Sequence, residues 1–285
     1  PTRRSSDLLT SVGRDIFFRR HTLPEKLGSV FGYFDTVATF WWIVAAVIGI
    51  WAVRLVPIHG LLLLIAPASI VSIVMLVRFR KDKKRNPIAE HSGTGKLREL
   101  LVELRGWSIR LRVLALVNFF MTFAYTILIF FVPIEIYSET ASYTLAILSG
   151  IATGIPMVFG FVLGKWFERF AKKIFLGSIL VFAVLTLSLA VYIQPWWQIV
   201  VMLGIGFAFE TISIGWRSLV TIHADPARFG ILDGLLKSIA NVGSLVGPLL
   251  AGLSFDRFGL EPTYAVLSGV LFLLLPIAYT LFRKK

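Results

Sequence analysis

Apolar residues run along this chain in long unbroken stretches, not in the one-sided periodicity of soluble helices or strands. Runs of roughly 20 residues or more, enough for a helix to cross about 30 Å of hydrocarbon, occur near 29–53, 58–78, 112–134, 141–164, 174–193, 197–220, 230–254 and 262–282. The pattern predicts an all-α polytopic membrane protein with eight transmembrane helices. Connections are short except the one from Phe79 to Arg110. Within it Leu97, Leu100, Leu101 and Leu104 share a helical face beside charged neighbours, which reads either as an interfacial helix or as a solvated connector.

With 56% hydrophobic residues, 16% charged ones and a mean hydropathy of +0.80, the chain carries more apolar surface than a soluble core of this length hides. The net charge of +13 matters through its distribution. The long connection holds Arg80, Lys81, Lys83, Lys84, Arg85, Lys96, Arg98, Arg105 and Arg110, which places it in the cytoplasm if positive residues stay inside. Counting spans from there, the turns at 165–173 and 224–229 and the tail Arg283–Lys285 also fall inside, and all are basic. The outward turns hold Arg54 and Arg257 among basic residues, with Glu135, Glu139, Asp256 and Glu261 on the same side. The expectation is a multi-pass protein of the inner or plasma membrane, with central loop and C-terminus cytoplasmic. Basic charge arranged this way reads as topology, so no nucleic-acid partner is expected. The absence of cysteine excludes disulfides and thiolate chemistry.

One pattern is used twice. His21, Pro24, Lys26, Gly28 and Gly32 recur 202 residues later as His223, Pro226, Arg228, Gly230 and Gly234, and the same offset carries Gly13 onto Gly215. Each copy runs into a long apolar helix, so His21 and His223 are expected at the start of that helix. A duplicated loop-plus-helix unit in a hydrophobic chain implies a transporter built from two related halves. Residues 1–8 read like a translated sequencing adapter and are set aside as an expected artefact; 9–20 then read as the tail of a helix that begins upstream.

After the fourth span comes Gly160-Phe-Val-Leu-Gly164-Lys-Trp-Phe-Glu168-Arg169-Phe-Ala171-Lys172-Lys173. The seventh carries Gly243, Gly247, Pro248 and Gly252, then Asp256-Arg257-Phe-Gly259. The first resembles the cytoplasmic loop signature of the major facilitator superfamily, with Glu168 where Asp is usual and Ala171 where a second Gly is expected; the second resembles that superfamily's eleventh helix. The resemblance implies alternating access by two six-helix bundles. The chain would then comprise the end of the N-terminal bundle over 9–78 (the tail of helix four, then helices five and six), a basic central loop over 79–110, and the C-terminal bundle over 111–285. It also implies a charge latch at Gly164, Glu168, Arg169, Lys172 and Lys173, and gating contacts for Asp35, Asp233 and Lys237. Gly243, Gly247 and Gly252 would let helices approach, and Pro248 would let one bend.

Ionisable groups inside a bilayer cost about 2.5–3.5 kcal/mol at a helix centre, so each invites a functional reading. Glu210 lies 13 residues past Trp197, about 20 Å along a helix. It reads either as a carrier of a coupling proton or partner of a cationic substrate, or as one end of a polar seam with Ser213 and Arg217. Asn118, Thr122 and Tyr125, at i, i+4 and i+7, either face a cavity and read a small polar solute or bond between helices. His21, His59, His91 and His223 show no ligand spacing with acids, so no cofactor or metal site is expected and a membrane-embedded enzyme is only a remote alternative; the other alternative to a transporter is a truncated, non-transporting membrane fragment or scaffold. The expected partners are a small-molecule substrate, a coupling proton or cation, and the lipid bilayer, with the full-length protein a monomer.

Overall fold

In the computed structural model of the chain, residues 106–223 and 229–283 are described, together with ten helical positions between 30 and 48. The chain divides into two compact units, residues 41–106 and the remainder; the helices below belong to the second. The expected interfacial helix and the span at 58–78 lie outside the described residues, as does Asp35.

Ser108 opens α1 (Ile109–Thr140) by accepting a hydrogen bond from the Leu111 amide, which satisfies one of the donors that a helix start leaves bare. Its C-cap, Ala141, adopts the left-handed conformation (φ 51°) and donates to the Tyr137 carbonyl, and Ser142 caps α2 (Tyr143–Gly154) at once. A 3-10 turn over Ile155–Phe159, with Pro156 in its first turn, leads into α3 (Gly160–Val191). Pro195, fitted to a first turn by its fixed φ, begins α4 (Pro195–His223). Beyond it come α5 (Phe229–Phe258), α6 (Leu260–Tyr279) and a closing 3-10 turn over Thr280–Phe282.

Five helical stretches among the described residues are long and apolar enough to cross a membrane. One of them, Tyr143–Val191, has 49 residues, about 74 Å at 1.5 Å per residue and more than two bilayer thicknesses. It folds back at Phe170, where φ −135° and ψ 36° break the helix. Contacts from α4 establish the reversal. A Cβ on Gly206 would meet the Thr153 carbonyl oxygen, and one on Gly204 would meet Leu185; those two partners are 32 residues apart in sequence but lie at one level of α4. Phe167 and Phe175, on either side of the break, pack edge to face at 6.4 Å, and Phe175 packs onward to Phe282 at 6.1 Å. Negative φ at Phe170 explains how the turn is made without a glycine at the Ala171 position.

Helix ends alternate between two sides. Arg110 Nη1 lies 3.4 Å from His223 Nε2, Arg110 Nη2 donates to the Arg283 carbonyl, and Lys172 sits over the Tyr279 ring. On the other side Tyr137 donates to Tyr143, Ser254 lies 2.7 Å from Thr263, and Tyr264 donates to Glu135. The first side gathers Arg110, Lys172, Lys173 and Arg283; the second gathers Glu139, Asp256 and Glu261. His223 closes α4, its Nδ1 2.8 Å from the Leu219 carbonyl oxygen, so it ends the preceding helix instead of starting the next. A basic side chain there suits the negative end of the helix dipole.

Candidate functional site

The most deeply buried of the membrane helices is α4, which packs against α1, α2 and α3. Midway along it Glu210 is 2% exposed. Its neighbours come from two other helices. Tyr125 of α1 has the Thr153 side chain of α2 and the Glu210 carboxylate beside it, and its ring stacks on Phe209 with centroids 3.8 Å apart and planes 4° from parallel. Thr153 is itself buried and donates to the Gly150 carbonyl at 2.6 Å. The close approach of α2 to α4 at Gly206, one turn before Glu210, makes this meeting possible. Along α4 from Glu210, Arg217 donates to Ser213 at 2.9 Å.

Asn118 and Thr122 share the face of Tyr125 and are half-buried. That face borders the one on which Leu114, Val117, Met121, Ala124 and Leu128 are sealed. Sequence pattern singles out Tyr125 and Glu210 separately and misses Thr153, whose signal is a hydroxyl one turn after Ser149 in an otherwise apolar span.

The glycine face of α5 lies on α1. A Cβ at Gly243 would stand 2.8 Å from the Phe119 carbonyl oxygen, and one at Gly247 would stand 2.9 Å from that of Phe123; Gly252 has the Phe131 ring at van der Waals distance. Pro248 lies inside the helix. On the opposite face Val242, Leu245, Leu249 and Leu253 are exposed, as expected of a helix that meets lipid or another membrane segment.

At the Phe170 turn Gly164 is buried against its neighbours, while Glu168, Arg169, Lys172 and Lys173 are exposed. Lys172 reaches the Tyr279 ring at 4.3 Å and Arg169 covers Phe170. Asp233, 2% exposed, pairs at 2.8 Å with Lys237 one turn on. Asp233→Ala leaves an ammonium beside apolar helix surface. It is expected to lower stability by about 2 kcal/mol, below the usual cost of breaking a buried pair because Lys237 keeps some solvent access. Joint replacement of both residues by leucine is expected to restore most of the loss; an equal loss in single and double variants on thermal unfolding in detergent would assign no energy to the pair.

The Major Facilitator Superfamily profile matches residues 12–232 and 114–285. Over 145 residues the chain is 28% identical to the multidrug resistance protein MdtG of Dickeya zeae, covering 48% of this chain and 35% of that protein. Over 156 residues it is 31% identical to the proton-coupled antiporter flippase LtaA of Staphylococcus haemolyticus, covering 52% and 37%. The matched part thus spans little more than a third of either relative. The crystal structure of the human organic anion transporter MFSD10 superposes with a TM-score of 0.52 at 17% identity, covering 67% of this chain and 43% of that one, a likeness of fold. The profile matches take in nearly every residue, and the chain belongs to the Major Facilitator Superfamily.

Proposed function

We propose that this chain is part of a secondary active transporter that moves a small organic solute by alternating access, coupled to a proton. The observation that carries the reading is Glu210: a carboxylate deep within a membrane helix, near Tyr125 of another helix, where a permanent charge is costly and a transferable proton is useful. Asn118 and Thr122 extend the same polar face toward a substrate. The basic helix ends lie in the cytoplasm on this reading. Gly164, Glu168, Arg169, Lys172 and Lys173 act with Asp35, Asp233 and Lys237 in gating, and Gly243, Gly247, Pro248 and Gly252 let α5 slide and bend on α1. The names of the relatives, a multidrug resistance protein, a flippase and an organic anion transporter, direct the first trials to lipophilic and amphipathic solutes.

The full-length protein reconstituted into liposomes is expected to concentrate a fluorescent lipophilic ion when a pH gradient is imposed and to release it when a protonophore is added. Movement that ignores the gradient across a panel of lipophilic cations and organic anions would refute proton coupling, and no movement at all would refute the transporter reading.

A further inference from the structure

The charge pattern places Glu135 among the outward turn residues. The structure instead holds it within α1, 3% exposed. Its Oε2 accepts a hydrogen bond from the hydroxyl of Tyr264 on α6 at 3.0 Å, and Tyr264 is itself fully buried. The side chain of Gln198 on α4, also fully buried, lies beside the carboxylate. Among the described residues, Glu135 Oε1 and both the oxygen and nitrogen of the Gln198 amide have no hydrogen-bond partner of good geometry. Among the described residues, the charged groups that act on Glu135 are two acids, Glu139 of α1 and Glu261 of α6.

A carboxylate buried between three helices, with further acids as its charged neighbours, needs a positive charge close by or must take up a proton. Among the described residues the Gln198 amide is held by no other group and can turn about its terminal torsion, so it can present its oxygen to Glu135 Oε1 and the pair can offer two acceptor oxygens to one small cation. We propose that Glu135, Gln198 and Tyr264 form a binding site for a single monovalent cation, a proton or a sodium ion, at the acidic end of the bundle. As a proton it would sit on Glu135 Oε1 and be donated in a hydrogen bond to the Gln198 oxygen; as sodium it would be ligated by both oxygens, with water completing its shell. Tyr264 keeps donating to Oε2 in either case. The site is distinct from Glu210: Gln198 and Glu210 are 12 residues apart on α4, about 18 Å. The proposal deepens the transporter reading by adding a cation site, but its test reads binding alone, so either can fail without the other.

The test is thermal unfolding of the purified chain in detergent, in choline buffers from about pH 5 to about pH 9, then at the alkaline end with sodium replacing choline. Stabilisation by roughly 4 °C or more on acidification alone identifies a proton site, and the same gain from sodium identifies a sodium site; both support the proposal provided Glu135→Gln removes the response. Tyr264→Phe keeps the ring and withdraws the donor that competes for the carboxylate charge, so it is expected to move half-saturation to about tenfold lower cation concentration. This second variant also decides the matter if Glu135→Gln does not fold. A wild-type melt indifferent to both cations overturns the proposal and leaves Gln198 a static neighbour. A response unchanged in Glu135→Gln, or in Tyr264→Phe, overturns it equally.

Discussion

Replacing Glu210 by glutamine is expected to abolish pH-gradient-driven transport while leaving the protein folded and its passive exchange of substrate intact. Glutamine keeps the shape of the side chain, but it cannot gain or lose a proton. Glu210 is buried at 2% exposure, so water cannot substitute for the lost group. A loss of about 100-fold or more in coupled uptake, at unchanged melting temperature, is the anticipated magnitude for removing a positioned proton-transfer group. Coupled uptake at the wild-type rate would take Glu210 out of the mechanism and leave it as packing between α4, α1 and α2.

The largest structural effect is expected at Gly206. A Cβ there would lie 2.5 Å from the Thr153 carbonyl oxygen and 3.0 Å from Pro156 Cγ. Neither a backbone carbonyl nor a proline ring can rotate away, so α4 and α2 must separate. Gly206→Ala is expected to cost about 1–3 kcal/mol as overpacking, and Gly206→Leu to leave no monodisperse protein after extraction into detergent. Gly269 of α6 supplies the control. Nothing lies within 4 Å of its Cβ position, so Gly269→Ala is expected to hold or slightly raise stability through helix propensity. Equal behaviour of the two alanine variants on heating would mean that α2 and α4 do not approach this closely in the membrane. Because Glu210 lies one turn beyond Gly206, Gly206→Ala is also expected to weaken coupling.

Much of this architecture is legible from residues taken in order. The apolar runs at 112–134, 197–220 and 230–254 fall within α1, α4 and α5, and that at 262–282 within α6 and its closing 3-10 turn, because crossing length and hydropathy are properties of a local segment. The basic stretch at 165–173 marks the reversal at Phe170 although the helices on either side join in one continuous helical stretch. Local pattern does not reveal how the residues pair. Tyr125 and Glu210 are each conspicuous as polar groups in apolar spans, yet nothing in their spacing tells that Tyr125 lies near both Glu210 and Thr153. Glu135 reads as an exposed acid at a helix end because its sequence neighbours Glu139 and Ser138 are polar; burial comes from Tyr264, 129 residues away. His223 reads as the start of a helix because a long apolar run lies just after it, whereas its contacts with Leu219 and Arg110 tie it to the end of α4.

The sequence by itself determined the membrane class, the position of the crossings among the described residues, the asymmetry of charge between the two ends and the superfamily resemblance, since each depends on composition and order along one segment. Only the tertiary structure decided which buried polar groups meet, because a carboxylate's partners in a helical bundle are set by the rotation and separation of helices far apart in the chain. Those are governed by contacts such as Gly206 on Thr153 and Gly243 on Phe119, where the absence of one Cβ brings two backbones together.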